Sequence, residues 1–222
     1  MYERMERILS QDEIDKIINT KVLVVGLGGV GGATFEALVR LGIKNIDVID
    51  YDVFDKSNLN RQLLSNLSNI GQKKVLGAQI RAKSINNDII INSYDMFLNK
   101  DNIDDIDISK YDYVLDCCDS VEAKLLLIKK CLDNNIKIIS CMGTGNRLDP
   151  TKVVITDIWK TNNDPLAKKM RTLLRKEGIK KKVKVVCSTE LPRKSKEGIG
   201  TISLVCNTAG FFMASFVIND II

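Results

Sequence analysis

A chain of 222 residues, 45% of them hydrophobic, has the apolar content for one large domain and its core. It holds no histidine, which excludes Ser-His triads, imidazole general bases and imidazole metal ligands. At 5% aromatic residues, stacking platforms for single-stranded nucleic acid are excluded as its main device. The net charge is +5, but residues 160–196 carry thirteen Lys and Arg against three acidic residues, a local +10, so the remainder is −5. Six cysteines without any C-x-x-C spacing read as reduced thiols, neither a disulfide framework nor a zinc set. With no signal peptide at its start, the chain is expected in the cytoplasm.

In chain order, residues 21–26 are a continuous apolar run ending in glycine, as a buried parallel strand does. Residues 29–41 have helical spacing, and Gly42 ends that helix. Strands are predicted at 45–50, 89–93, 113–116 and 136–140, with helices at 72–85 and 121–132 between them. This alternation gives an α/β, Rossmann-like, doubly wound, mainly parallel sheet with right-handed crossovers. Beyond Gly143 the pattern changes to a C-terminal extension. Strands at 152–157 and 183–187 flank a basic helix at about 164–177, and 191–200 reads as a mobile loop. The run 202–222 is long enough to span a bilayer, but Asn207, Thr208, Ser215, Asn219 and Asp220 interrupt it. A terminal core or interface helix, with no membrane, is the expectation. The single domain thus divides into an N-terminal helical arm (1–20), a nucleotide-binding core (21–145) and a basic substrate-binding extension with its terminal helix (146–222).

Five short motifs carry the chemistry: V-V-G-L-G-G-V-G at 24–31, I-D-Y-D at 49–52, S-N-L-N-R-Q at 57–62, G-Q-K-K at 71–74 and L-D-C-C-D at 115–119. Gly26, Gly28, Gly29 and Gly31 sit at a strand-to-helix turn where backbone approaches a phosphate at a helix N-terminus. Asp50, and with it Asp52, is placed to accept hydrogen bonds from ribose hydroxyls. A dinucleotide site would share these features. The polar cluster of Asn58, Arg61 and Gln62, with Lys74 further on, would not suit a nicotinamide cleft; it suits a polyphosphate clamp. Asp116 and Asp119 end a strand at the switch point, where a carboxylate can hold Mg²⁺ against phosphates. Lys168, Lys169, Arg171, Arg175, Lys180, Lys181 and Lys182 are candidates for contact with a nucleic-acid phosphate backbone, which the resemblance given below makes that of tRNA.

Taken together the motifs resemble the ubiquitin-activating-enzyme-like, ThiF-type adenylating superfamily, which includes the thiamine and molybdopterin adenylyltransferases. The resemblance implies ATP as cofactor, with Asp50 on its ribose, Asn58, Arg61 and Lys74 on its phosphates, and Asp119 on Mg²⁺. It implies a homodimer in which Arg4, or else Arg7, reaches the partner's site. Within that superfamily, D-S-V-E-A-K at 119–124, M-G-T-G-N-R-L-D-P-T at 142–151, D-I-W-K-T-N-N-D-P-L-A-K-K-M-R at 157–171 and 174–190 look most like the tRNA threonylcarbamoyladenosine dehydratases. The zinc cysteine pairs of the thiamine and molybdopterin relatives are missing here. A cysteine-desulfurase-type sulfur-transfer protein is a further partner raised by the resemblance.

The implied reaction is ATP-dependent activation of a threonylcarbamoyl carboxylate, as an acyl-adenylate or an acyl-phosphate, followed by ring closure that expels the activated oxygen. Two rivals stand beside it: adenylation of the C-terminus of a ubiquitin-like or sulfur-carrier protein, and a nucleotide-binding scaffold without catalysis. Cys187, beside a basic run, could carry sulfur or a thioester; the preferred reading is an inert thiol.

Overall fold

The apolar run Lys21–Val25 forms strand β1, covered on both faces, and it organises everything around it. The computed structural model describes residues 1–222. The other strands are β2 (Asn45–Ile49), β3 (Ser93–Tyr94), β4 (Tyr113–Asp116), β5 (Lys137–Cys141), β6 (Val153–Asp157) and β7 (Lys184–Ser188). They form one seven-stranded sheet in the order β3-β2-β1-β4-β5-β7-β6. All neighbours are parallel except β6, which runs antiparallel to β7 with Val154 opposite Cys187. The helices are α1 (Gln11–Asn19), α2 (Gly29–Arg40), α3 (Lys74–Ile85), α4 (Val121–Asp133), α5 (Pro165–Lys176) and α6 (Ser203–Ile221).

Alternation along β1 builds two cores. Val22 and Val24 face α2, α3 and α6 with Phe35, Leu38, Ala78, Ala209 and Met213. Leu23 and Val25 face α4 and α5 with Leu127, Ile128, Met170 and Leu174. A parallel sheet needs both faces covered, and here helices cover both. Strand order reverses between β1 and β4, so the crevice outside their carboxyl ends is where a ligand belongs.

Two expectations needed revision. The strand read at 89–93 reduces to Ser93–Tyr94, because the Asn92 N–H donates to the Asp47 carboxylate (3.1 Å) and only an isolated bridge joins Ile90 to Asn45. The helix read from 72 starts at Lys74, since Lys73 is non-helical (φ −57°, ψ 132°) and bridges Val53. Residues 191–200 form no helix or strand, yet Asn146 fastens them: its N–H donates to Gly200 O, its Oδ1 accepts from Gly200 N, and its carbonyl accepts from Arg193 N, all at 2.7 Å. Asn146 does this in the left-handed conformation, φ 58°.

The terminal helix α6 is long and apolar enough to cross a bilayer by length and composition. One of its faces is packed in the core through Val205, Ala209, Gly210, Met213 and Val217. It crosses α2 closely: Thr34 Oγ1 donates to Gly210 O at 3.1 Å.

Candidate active site

A cleft of about 850 Å³ opens at the carboxyl ends of β1, β2, β4 and β5, within the usual range for small-molecule sites. Its first wall is the turn from β1 into α2. Gly26 has φ +89°, and a Cβ there would stand 2.9 Å from the Cys118 backbone, so the turn can lie against the β4 end only with glycine. Gly28 has open space on its side-chain face and caps α2 with no side-chain hydrogen bond, leaving first-turn N–H groups for an anion. Gly29 also lines the cleft. Gly31 does not: a Cβ there would meet Gly26 O at 1.7 Å, so its job is close packing of α2 on the turn.

Asp50, at the end of β2, is buried and locks this geometry. Its Oδ2 accepts from Leu27 N (2.6 Å) and its Oδ1 from Asp52 N (2.8 Å). A carboxylate has about four acceptor positions, so two remain for ribose hydroxyls. Asp52 pairs with Lys74, whose Nζ is 2.9 Å away and whose residue is only 4% exposed. Tyr51, between them, has its phenol pushed up by the Asp52 charge, then by burial, Asp119 and Asp50. Asp119 lines the same cleft as the Asp50–Asp52 turn. Asp119 is exposed and makes no ion pair or hydrogen bond. Asp116, its companion in the sequence reading, cannot serve a metal: it is fully buried and paired with Lys124.

The short turn after β2 delivers the remaining groups. Asn58 closes a capping box with Asp55, its Oδ1 accepting from Asp55 N at 3.1 Å. Arg61 is held only through Nη1, which donates to Ser57 O (2.7 Å) and Asn60 Oδ1 (3.0 Å). Its remaining donors are uncommitted. Gln62 is 5% exposed and its Oε1 has no partner, an orphaned acceptor in the cleft wall that a ligand donor would satisfy.

A ThiF family profile matches residues 2–222. The chain belongs to the ThiF family. It is 36% identical over 239 aligned positions to the tRNA threonylcarbamoyladenosine dehydratase of Bacillus subtilis (strain 168), covering 100% of this chain and 94% of that protein. The E. coli enzyme of that name, TcdA, solved with ATP, superposes with a TM-score of 0.94 at 33% identity, covering 99% of this chain and 93% of that one. The adenylyltransferase and sulfurtransferase UBA4 of Candida albicans is 37% identical over 140 positions, 63% of this chain and 31% of that protein.

The cleft continues past the glycine turn, Asp50 and Arg61. Met142–Arg147, then Asp164, Pro165 and Leu166 at the start of α5, line its far end, and Pro192, Ile199 and Thr201 cover it. Sequence reading missed the network that shapes this end. Arg147 is buried and donates to Gly143 O (2.6 Å), Asn163 O (3.0 Å) and Glu190 O (3.1 Å). Asp164 caps α5 at Ala167 N (3.0 Å) and accepts from Gly143 N (2.9 Å). It also missed Asn207, whose side-chain amide faces the carbonyls of Arg61 (2.9 Å) and Gly29 (3.0 Å); two acceptors there require its nitrogen, as donor, to be the atom pointing at them. The polar break that Asn207 makes in an apolar run was the available signal.

The basic candidates divide. Lys168, Lys169, Lys180, Lys181 and Lys182 are exposed. Arg171 is turned inward, donating to Thr161 O at 3.1 Å, and Arg175 stacks 5.3 Å from the Trp159 ring. Arg4 lies on the exposed N-terminal segment outside the cleft, and Arg7 pairs with Glu3. No cysteine is primed as a nucleophile: burial pushes Cys187 to about 11 and Cys117 to about 12.

Proposed function

We propose that this protein uses ATP to dehydrate threonylcarbamoyladenosine next to the anticodon of tRNA, giving the cyclic form. The observation that carries this reading is the continuity of one cleft: nucleotide-binding groups line one end and the start of basic helix α5 lines the other. The relatives matching along nearly the whole chain bear the dehydratase name, and one is solved with ATP.

A carboxylate is inert to displacement because its oxygen leaves poorly. Its attack on the α-phosphorus of ATP forms an acyl-adenylate and releases pyrophosphate. The carbamoyl nitrogen then attacks the acyl carbon, losing its proton as AMP leaves with the former carboxylate oxygen. Held intramolecularly, such a closure benefits from effective molarities of about 10⁵–10⁸ M, so no enzyme thiolate is required. In this scheme Asp50 holds the ribose, while the α2 N-terminus, Asn58, Arg61, Gln62 and Lys74 receive the polyphosphate. Positioning and charge neutralisation are the protein's main contributions.

The cleft lining carries three cationic residues (Arg61, Lys74, Arg147) and five carboxylates (Asp50, Asp52, Asp55, Asp119, Asp164). A polyanionic nucleotide therefore needs added positive charge. Mg²⁺ fits, because it takes one or two protein carboxylates and completes its shell with phosphates and water. Unpaired Asp119 suits it, and the fold offers no three-carboxylate or thiolate cage that would hold an ion alone. When bound, Mg²⁺ supplies charge neutralisation at the phosphates. A second copy of the chain, bringing Arg4 to the cleft rim, supplies the other cation.

The deciding experiment is mass spectrometry of modified nucleosides from tRNA incubated with protein and ATP. Loss of one water from the threonylcarbamoyl nucleoside is expected. The partial UBA4 match favours the rival reading, adenylation of a ubiquitin-like or sulfur-carrier protein. An unchanged nucleoside together with AMP transfer to a Gly-Gly-ended protein would establish that rival.

A further inference from the structure

Lys124 and Asp116 form an ion pair that none of the roles above uses. Both side chains are fully buried, Lys124 in the first turns of α4 and Asp116 at the end of β4. Lys124 Nζ lies 3.1 Å from each Asp116 oxygen. The same carboxylate accepts from Cys118 N (3.3 Å), from Cys118 Sγ (3.0 Å) and from the Ser140 hydroxyl on β5. Burial alone would lower the Lys124 ammonium; the Asp116 charge overrides it, and the pKa is raised.

Two buried charges are costly to desolvate, and apolar residues of the same volume would hold β4 against α4 as well or better. What an apolar pair cannot supply is the hydrogen bonding, and its target is the turn 117–120. Cys118 is fastened to Asp116 by backbone and thiol. Ser120 is fixed as the cap of α4: its Oγ accepts from Ala123 N (3.3 Å) and its carbonyl from Lys124 N (3.0 Å). Between these two anchored residues stands Asp119, exposed and unpartnered. On its other side Cys118 is the floor for Gly26, whose missing Cβ would lie 2.9 Å from Cys118 N and Cα. One buried carboxylate therefore sets both the seat of the glycine turn and the placement of Asp119.

We propose that Lys124 is a positioning residue: clamped to Asp116, it fixes the 117–120 turn so that Asp119 faces the nucleotide phosphates opposite the glycine turn. The inference rests on the reading of Asp119 as the Mg²⁺ carboxylate.

The test uses the full chain with ATP, tRNA and varied MgCl₂. The double variant Asp116→Asn/Lys124→Met removes both charges together, so no unpaired ion is left buried. It is expected to melt within a few degrees of the parent and, because Cys118 also seats the glycine turn, to lose Mg²⁺-free ATP affinity by calorimetry by a smaller factor than it loses in Mg²⁺ dependence. Its Mg²⁺ concentration for half-saturation should rise, and kcat fall, by roughly 10- to 100-fold, as when a metal ligand loses its supporting shell. Ser140→Ala, which removes one hydrogen bond to Asp116 and no charge, should shift the Mg²⁺ requirement the same way by less, and it serves if the double variant fails to fold. Parental Mg²⁺ dependence in a folded double variant, or in Ser140→Ala where that double variant does not fold, overturns the proposal. Asp119→Asn run in parallel separates the two readings. If it raises the Mg²⁺ requirement while the charge-free variant does not, only the positioning role fails. If Asp119→Asn leaves Mg²⁺ dependence unaltered, the metal reading fails and the positioning role falls with it.

Discussion

Arg61 and Lys74, the two cations at the nucleotide end, are held very differently. Lys74 is nearly buried and its ammonium is already committed to Asp52. Arg61 is tethered by Nη1 alone, which fixes its direction and leaves the rest of the guanidinium free; in the proposed scheme it would meet oxygen atoms that gain charge as pyrophosphate departs. Arg61→Ala should therefore lower turnover by about 10²-fold or more, the scale of losing a transition-state donor. Its melting temperature should stay near the parent's, because the contacts from Asn207 go to the Arg61 carbonyl and survive truncation. Near-normal pyrophosphate release in initial-rate assays would refute the clamp. Cys187 makes the opposite case. It is buried on β7 with its pKa pushed up to about 11, so little thiolate exists at neutral pH. Cys187→Ser should keep turnover within about twofold of the parent while destabilising the fold by about 1–3 kcal/mol, as a buried hydroxyl does. Loss of cyclic product with ATP binding intact would restore a covalent role. Residue order in the sequence was enough to expect Asp50, Arg61, Lys74 and Asp119 around one cleft, where the structure brings them together, because strand carboxyl ends and the turns after them carry such groups. It could not find Arg147, since its partners Asn163 and Glu190 lie 16 and 43 residues away and meet it only through β6–β7 pairing.

Helix α6 turns an apolar tail into part of the cleft wall. Gly210 lets it approach α2: a Cβ there would stand 2.4 Å from Val30 O and 2.7 Å from Ala33 Cβ. One turn earlier, Asn207 reaches the carbonyls of Gly29 and Arg61. Packing and ligand geometry are thus coupled through a single helix face. Gly210→Ala should cost about 1–3 kcal/mol by overpacking and weaken ATP binding, because the helix must withdraw and take Asn207 with it. Gly178→Ala is the matched control. Gly178 has φ +71° and nothing near its missing Cβ, so about 1–2 kcal/mol of backbone strain should leave ATP affinity alone. Denaturant melts with calorimetric ATP titrations check both; equal ATP affinities in the two variants would break the link from α6 to the site. Polar interruptions in 202–222 made a packed helix legible from sequence. Which face packs was not, because α6 is apolar on nearly all sides and periodicity has little to report. The edge strand β3 was misjudged at its ends for a related reason: the Asp47 side chain takes a ladder position that a pattern of apolar residues cannot anticipate.

Across the whole molecule, charge is sorted. The 160–196 stretch holds +10 while the rest of the chain holds −5. The cleft itself has more carboxylates than cations, so it does not draw in a polyanion unaided. The basic surface lies at the extension: the first residues of α5 line the cleft, exposed Lys168 and Lys169 follow in that helix, and exposed Lys180–Lys182 stand further off, before the start of β7. A phosphate backbone docked there would hold the anticodon region of a tRNA near the cleft by long-range attraction, sequence-independent and screened by salt. Not every cation in the stretch can take part. Arg171 is tied to Thr161 and Arg175 lies over Trp159, so they shape the helix surface and need not touch phosphate. Reversing Lys180, Lys181 and Lys182 to Glu should therefore weaken tRNA binding and lower the slope of log affinity against log salt by roughly one for each phosphate no longer neutralised. ATP affinity should not change, because these side chains stand outside the cleft. Filter binding between about 50 and 200 mM salt measures the slope. An unaltered slope in the reversed variant would place the tRNA footprint on another face, leaving the exposed Lys168 and Lys169 of α5 as the next cations to reverse.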